Sequence, residues 1–146
     1  MSTVRSSRLV AGDATSTALL LSGPSALDLW PGLRRVHDAP GYYDALGPVG
    51  DEAVRRLVVR ADPPRRTATS YVTRFSVTGE EVPAASGELR VSGSWAVDHP
   101  GATVELWLAS DAWDPTLERH ISSAVEAFLD NLAQLSDRYS GVGTAA

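Results

Sequence analysis

The stretch DPTLERHISSAVEAFLDNLAQLSDRY, residues 114–139, predicts the element around which the rest of the chain is organised. Its apolar residues recur at steps of three and four, which places them on one side of an α-helix. The members of this stripe are Leu117, Ile121, Ala124, Val125, Phe128, Leu132, Leu135 and Tyr139. Asp114 and Pro115 suit the first turn of a helix, and Gly141 and Gly143 predict its end. A helix of about 35–40 Å is typical of a lid or spine for a curved sheet.

Four segments before this helix alternate apolar and polar residues with the period of two that predicts β-strands. They are residues 53–61, 67–78, 87–97 and 103–109. In the third segment Leu89, Val91 and Trp95 share one face, and Glu88 and Arg90 share the other. Such alternation indicates an antiparallel sheet with one buried and one wetter face. The long helix can therefore cover the apolar face of this sheet.

The N-terminal part of the chain has weaker patterns, and turn residues interrupt it. We expect a loose tail or a first-strand extension over residues 1–13, a short strand over 15–22, a short helix over 26–33 and a second short turn or helix that includes 34–38. Residues 42–52 contain Gly47-Pro48 and Gly50-Asp51, so at most a very short strand fits there, around 42–46.

No repeat or composition break divides the chain, so we predict a single domain over residues 14–140, with flexible tails over 1–13 and 141–146. The order of elements is strand, short helices, several antiparallel strands and one long helix. This order predicts an α+β fold in which a curved antiparallel sheet grips a long C-terminal helix, with short helices after the first strand.

Composition excludes several classes of function. The net charge is −5, and all 13 basic residues are arginine, which argues against a nucleic-acid binder or a binder of anionic membranes. The absence of cysteine excludes disulfides, thiol catalysis and cysteine-ligated zinc. The apolar run over residues 18–21 is too short for membrane insertion, and a cytoplasmic protein is expected.

No motif indicates a metal or another cofactor. The three histidines lack metal-ligand spacing. The glycines at Gly87 and Gly93 belong to a predicted strand and do not open a helix, so they do not predict a phosphate loop. We therefore expect neither a metal nor a cofactor.

Four pieces of the chain resemble the START-like, or helix-grip, superfamily, especially its small bacterial polyketide cyclase/dehydrase and lipid-transport branch. LLLSGPSALDLW (residues 19–30) is similar to the family's first strand and short helix, and RADPPRRT (60–67) to a turn between central strands. GATVELW (101–107) is similar to a late strand, and the final helix matches in length and position. The resemblance covers residues 15–139. It departs over residues 42–52, where the family has two strands, so we expect a missing or stunted strand and an incompletely closed cavity.

The resemblance implies an apolar ligand cavity between the sheet and the C-terminal helix. Our first hypothesis is that the protein binds a hydrophobic, polyketide-like or aromatic small molecule and promotes its cyclisation or dehydration. The alternatives are a non-catalytic carrier, sensor or resistance protein of the same fold, and an interaction module without a cavity. The partner expected is thus a hydrophobic small molecule, without nucleic acid.

Three side chains could move protons in such a cavity. His37 lies beside Asp38 and is either a general base oriented by that carboxylate or half of a surface pair. His120 lies about 100° from the centre of the helix stripe, either at a packing edge or at a cavity mouth. Tyr71 could position or protonate a carbonyl, or it could fill the core.

The candidate ligand contacts are apolar and aromatic side chains on the predicted inner faces, which could equally fill a core. They are Tyr43, Tyr71, Phe75, Trp95, Leu117, Ile121, Val125 and Phe128. Trp107 falls on the opposite strand face, where it either covers a second small cluster or marks the contact of a homodimer.

Overall fold

The predicted sheet and long helix are both present in the computed structural model. The structure describes residues 2–39, 41–48, 54–79, 82–96 and 99–144. Within these residues it does not describe the side chains of 24, 37–39, 48, 94–96, 99–100 and 139–144. The strands of the described part are β1 (Ser2–Val10), β2 (Arg34–Ala39), β3 (Tyr42–Pro48), β4 (Val54–Ala61), β5 (Arg65–Arg66), β6 (Ser70–Gly79), β7 (Val82–Ala96) and β8 (His99–Ser110). The helices of this part are α1 (Ala14–Ser22), a 3₁₀ helix (Pro24–Leu29) and α2 (Pro115–Thr144).

The strands that the structure describes form one curved antiparallel sheet in the order β1-β8-β7-β6-β4-β3-β2, with β5 paired to β6. On β8, Val104 and Leu106 are fully buried under α2, whereas Glu105 and Trp107 alternate onto the outer face. There the Trp107 Nε1 donates to Glu88 Oε2 at 3.3 Å. The predicted α+β fold, a curved antiparallel sheet that grips a long C-terminal helix, is confirmed.

Helix α2 begins as its sequence predicts and ends later. Asp114 Oδ1 accepts a hydrogen bond from the Leu117 N–H at 2.7 Å, which caps the first turn. The helix continues to Thr144, so the predicted end at residue 139 and the predicted tail over 141–144 are wrong. A glycine costs a helix about 1 kcal/mol relative to alanine but leaves its hydrogen bonds in place, so Gly141 and Gly143 do not by themselves end it. Residues 145–146 lie outside the described residues.

Residues 2–10, expected to be a loose tail or a first-strand extension, form the strand β1 along the edge of the sheet, so the loose-tail alternative is wrong. Val4 and Val10 point inward and are buried. The polar side chain between them, Arg8, reaches α2, where its Nη2 lies 2.5 Å from Asp130 Oδ1. The sequence pattern does not predict this strand, because Ser6 and Arg8 lie on its inner face and polar residues there are typical of an exposed segment.

The strand predicted over residues 15–22 is also wrong, because this segment is the helix α1. Asp13 caps it by accepting a hydrogen bond from the Ser16 N–H at 2.7 Å. Ala18 and Leu21, three residues apart, are both buried in the core. The capping bond and this burial outweigh the weak β preference of the threonines.

Residues 24–48 differ most from expectation. The short helix predicted over 26–33 is the 3₁₀ helix, which ends before Pro31. The second short turn or helix predicted to include 34–38 is the strand β2. Strands β2 and β3 pair with each other as far as Ala39 and Tyr42, and Gly41 makes this connection with a positive φ of 73°. The strand expected around 42–46 is therefore present and longer than predicted, and the expectation of a missing or stunted strand is wrong for the described residues 42–48. Residues 49–53 lie outside the described residues.

The later strands confirm the sequence prediction with shifted ends. β4 and β6 lie within one to three residues of the predicted segments. β7 begins at Val82, inside a predicted loop, and β8 begins at His99, inside a predicted turn. None of the helices in the described part is long and apolar enough to cross a membrane.

Candidate ligand-binding site

A cavity of about 1100 Å³ lies between α2 and the sheet. Its walls come from the N-terminal half of α2, from the inner faces of β3, β4, β6 and β7, and from the 3₁₀ helix with the loop that follows it. The lining is mostly apolar. Its volume is at the upper end of the range of about 300–1000 Å³ for small-molecule pockets.

The helix wall is a single face of α2. Its members are Leu117, His120, Ile121, Ser123, Ala124, Ala127 and Phe128. At about 100° per residue, this face includes the small residues Ser123, Ala124 and Ala127. Leu129 and Leu132 lie on a different side of the helix. Ser123, Ala124 and Ala127 are too short to reach the sheet, and this leaves the space open.

The buried side chains form two clusters, and the cavity lies beside both. The main core comprises Val4, Val10, Ala18, Leu21, Val91, Ala102, Val104, Leu106, Leu108, Trp113, Leu117, Val125, Phe128, Leu129 and Leu132. The minor core comprises Leu27, Tyr43 and Val59. Trp30 packs against both clusters and stacks on Phe128 with 4.6 Å between ring centroids. The Nδ2 of Asn131 donates to the Leu29 carbonyl oxygen at 2.8 Å, which fastens the 3₁₀ helix to α2.

Few polar side chains reach the lining. Tyr43 is only 7% exposed and carries a hydroxyl group into the apolar wall of β3. Thr73 lies on β6, and His120 is half-buried on α2. Asp62 and Ser123 are exposed members of the lining and so mark its rim. A mostly apolar wall with a few separate polar groups can bind an apolar molecule and orient its polar substituents.

The three predicted acid–base residues do not share one site in the described part of the chain. His120 lines the cavity. Tyr71 lies outside this lining, since its hydroxyl oxygen is 3.1 Å from Thr15 Oγ1 and the Arg66 guanidinium lies 5.9 Å from its ring centroid. The backbone of His37 belongs to β2 and pairs in register with Asp44, but its side chain is outside the described residues.

Most of the predicted ligand contacts do line the cavity. They are Tyr43, Phe75, Leu117, Ile121 and Phe128. Val125 is fully buried in the main core and is absent from the lining, because it lies further round α2, on the side of Leu129. The side chain of Trp95 is outside the described residues.

Sequence reasoning missed the small residues of α2 that leave space for the cavity and the β4 residues that line it. Ala124 and Ala127 appear in the sequence as ordinary helix formers, and Leu57 and Val59 as one more strand face. A usable signal was the row of small residues beside His120 at helical spacing, where a packed interface would carry large side chains. Among the described residues, no group of three or more histidine, aspartate or glutamate side chains is arranged to hold a metal ion.

Comparison with known proteins identifies the fold. No protein-family model matches the chain, and no curated protein matches it. Among solved structures, 147 chains match. They include a START superfamily protein from Mycobacterium smegmatis, with a TM-score of 0.67, 11% identity, and 94% of this chain and 98% of that chain covered. The protein XoxI from Bacillus cereus has a TM-score of 0.66 and 14% identity, with 93% and 96% covered. Ara h 8.0201 has a TM-score of 0.57 and 11% identity, with 92% and 97% covered. The chain therefore has the START-like, helix-grip fold that its sequence resemblance predicted.

Proposed function

We propose that the protein binds a hydrophobic, polyketide-like or aromatic small molecule in the cavity between the sheet and α2. The observation that carries this proposal is the size of the cavity together with its mostly apolar lining. At about 30 Å³ per molecule, the 1100 Å³ would hold roughly 35 waters, and the mostly apolar lining offers them few hydrogen-bond partners. An apolar ligand that displaces such waters gains free energy from each of them.

The aromatic residues of the lining favour a ligand with ring systems. Trp30 and Phe128 are stacked on each other, and Phe75 and Tyr43 belong to the opposite wall. Offset and edge-to-face aromatic contacts contribute about 0.5–1.5 kcal/mol each beyond simple burial. A planar polycyclic or folded polyketide molecule would find such contacts on both sides.

The catalytic form of the proposal assigns proton transfer to His120. Its half-buried imidazole belongs to the lining, where it could take a proton from an activated methylene or deliver one to a departing hydroxyl group. The remainder of the catalysis would come from holding a flexible chain in a reactive conformation. Tyr43 is the second candidate residue of the lining, and its hydroxyl group would orient a carbonyl group of the substrate.

A carrier, sensor or resistance protein is the second candidate function. It is favoured because Tyr71, one of the proposed acid–base groups, hydrogen-bonds to Thr15 and lies outside the cavity lining. Sequestration needs the apolar walls alone, without a second proton-transfer group. An interaction module with a filled interior does not fit a cavity of this size.

Ligand binding is tested by titrating the protein with a neutral apolar dye such as Nile red. Ala124→Trp places a large ring in the cavity and should weaken binding at least about tenfold, a change of about 1.4 kcal/mol. Ser122→Trp is the matched control, because Ser122 is exposed on the same helix and is not part of the lining. Equal binding by wild type and Ala124→Trp, or no binding at all, contradicts the proposal.

Catalysis is tested with a linear poly-β-ketone thioester whose cyclised products are followed by mass spectrometry. His120→Gln should slow cyclisation by about 10²–10⁴-fold while dye binding persists, and the exposed neighbour Arg119→Gln should leave the rate unchanged. If wild type and His120→Gln convert the substrate at the uncatalysed rate and both still bind the dye, the carrier function stands instead.

A further inference from the structure

The cavity lining holds no permanent positive charge. The chain has 13 basic residues, all of them arginine. The structure describes the side chains of all these arginines, and none of them belongs to the cavity lining. A site for a carboxylate or phosphate ligand ordinarily supplies such a cation, because an unpaired anion in an apolar site is costly.

Several of the arginines pair with acidic side chains outside the cavity. On the outer face of the sheet, Arg74 Nε and Arg90 Nη2 lie 3.5 and 3.4 Å from the carboxylate of Glu88. Arg56 Nη2 lies 3.0 Å from Asp44 Oδ2, an interaction between β4 and β3. Acidic partners therefore hold these guanidinium groups away from the ligand.

The turn that follows β4 also keeps its arginines out of the cavity lining, although they are close in sequence to lining residues. Ala61, Asp62, Pro63 and Pro64 all line the cavity, whereas Arg60 and Arg65, which flank them in the chain, do not. Alternation along β4 turns Arg60 away from the inner face that carries Val59 and Ala61, and its guanidinium lies 5.4 Å from the Tyr42 ring centroid. The turn thus contributes an exposed aspartate to the cavity lining and no arginine.

Among the described residues, the ionisable side chains of the lining are Tyr43, Asp62 and His120. Asp62 is the acidic member of this set, and it is exposed at the rim. The polar end of a bound ligand that projects from the cavity would meet this carboxylate. A ligand carboxylate there would be repelled, while a hydroxyl or ammonium group could donate a hydrogen bond to it.

We propose that the cavity selects neutral or cationic hydrophobic molecules against anionic ones, and that Asp62 is the specificity-determining residue at its rim. This inference rests on the proposed function, and it narrows the ligand class from hydrophobic molecules in general to those without a negative charge. Fatty carboxylates and other acidic amphiphiles are thereby excluded as the ligands for which the cavity is built.

The test compares three pyrene probes that share one ring system: 1-pyrenemethanol, 1-pyrenemethylammonium and 1-pyrenecarboxylate. Energy transfer from tryptophan to pyrene reports binding, because Trp30 and Trp113 both line the cavity. The alcohol and the ammonium should each bind at least about tenfold more tightly than the carboxylate, given the cost of placing like charges together.

Two variants locate the origin of the preference. Asp62→Asn should bring the ammonium and carboxylate affinities about threefold to tenfold closer together, since it removes the rim charge. Ser123→Arg places a guanidinium at the rim and should improve carboxylate binding at least about tenfold. Ser122→Arg adds the same charge to an exposed position outside the lining and should leave the order of the probes unchanged.

Each outcome separates the charge preference from the binding function. Carboxylate binding as tight as that of the alcohol in the wild type overturns the charge preference and leaves the proposed function intact. An unchanged order of probes in both Asp62→Asn and Ser123→Arg removes the role of the rim. Failure of all three pyrenes to bind contradicts the proposed function and this inference with it.

Discussion

The interface between α2 and the sheet has two parts, a packed half and a hollow half, which differ in how their side chains fill the space. In the packed half, Leu129 and Leu132 of α2 belong to the main core together with Val104 and Leu106 of β8, and all four side chains are fully buried. In the hollow half, Ser123, Ala124 and Ala127 of α2 face β3, β4 and β6 across a cavity of about 1100 Å³. One helix therefore carries both a core interface and the wall of a cavity.

The difference shows how a small domain can remain stable around a large cavity. The packed half joins β1 and β8, which lie at one edge of the sheet order, to the face of α2 that carries Val125, Leu129 and Leu132, and it supplies most of the fully buried side chains. The hollow half needs only to keep its walls apart, and the stacked Trp30 and Phe128 mark the border between the two. Stability and ligand space are thus assigned to different faces of the same helix.

The largest expected contrast comes from removing a large side chain in each half. Leu132→Ala should destabilise the protein by about 2–5 kcal/mol, because it leaves a void in a filled core. Ile121→Ala, on the same helix but in the cavity lining, should cost about 1 kcal/mol or less, because its side chain already borders empty space. Urea unfolding of both variants measures the two costs. Similar losses would show that the halves do not differ in packing.

Adding volume should give the opposite contrast. Ala102 is fully buried in the packed half, so Ala102→Leu should cost about 1–3 kcal/mol through overpacking. Ala127 lines the cavity, so Ala127→Leu should change stability by no more than about 0.5 kcal/mol while it weakens dye binding. Thermal unfolding and dye titration on both variants check this prediction, and a loss of dye binding confined to Ala102→Leu would contradict it.

Helix α1 touches both halves, since Leu21 belongs to the main core and also lines the cavity. Asp13→Ala removes its N-cap and should cost about 1 kcal/mol at neutral pH. Hydrogen bonds from the Ser16 side chain, and then from its backbone N–H, hold the pKa of Asp13 below its ordinary value of 3.8. The carboxylate therefore stabilises the fold above pH 3.8, and this contribution is lost as the pH falls through the lowered pKa.

Asp13→Asn is the control for this titration, because asparagine caps a helix about as well and carries no titratable group. Urea midpoints of wild type and Asp13→Asn should be similar at neutral pH and diverge as the pH falls below about 4, where the wild type alone loses stability. A stability difference between them that stays constant over this range would exclude Asp13 as the titrating cap.

The smallest expected effect concerns the ion pair that ties β1 to α2 in the packed half. Arg8→Met removes the contact with Asp130 and should cost less than about 1 kcal/mol, since both partners are partly exposed. The loss should shrink further as salt is added. Arg5→Met breaks the outer-face pair with Glu105, which does not contact α2, and serves as the comparison. A loss of several kcal/mol in Arg8→Met would mean that charge, and not apolar packing, holds this half together.

The elements predicted correctly are those with long, regular patterns. The stripe of α2 and the alternation of β4, β6, β7 and β8 were readable because each places many residues on one face. The errors lie in β1, α1 and β2 and in the length of β3, which are short, polar or interrupted by turn residues. For α1, the cap at Asp13 and docking onto the core outweighed the strand preference of the sequence. For β3, pairing with β2 on one side and β4 on the other stabilised a segment that Gly47 and Pro48 appeared to interrupt.

The candidate site was predicted in part for the same reason. Phe75, Leu117, Ile121 and Phe128 lie on inner faces that periodicity identifies, and they line the cavity. Val125 lies on the same predicted stripe, yet a rotation of a few tens of degrees places it in the main core. Sequence spacing locates a helix face and does not resolve which part of that face meets the sheet.

By itself, the sequence determined the α+β fold, the long capped helix and the apolar faces, because these follow from local propensities and from periods of two and of three to four residues. Only the tertiary structure decided that half of the helix faces a cavity, that Tyr71 binds Thr15 outside it, and that the arginines stay out of its lining. A cavity is the difference between the space that distant elements enclose and the volume of the side chains that enter it. No local pattern encodes that difference.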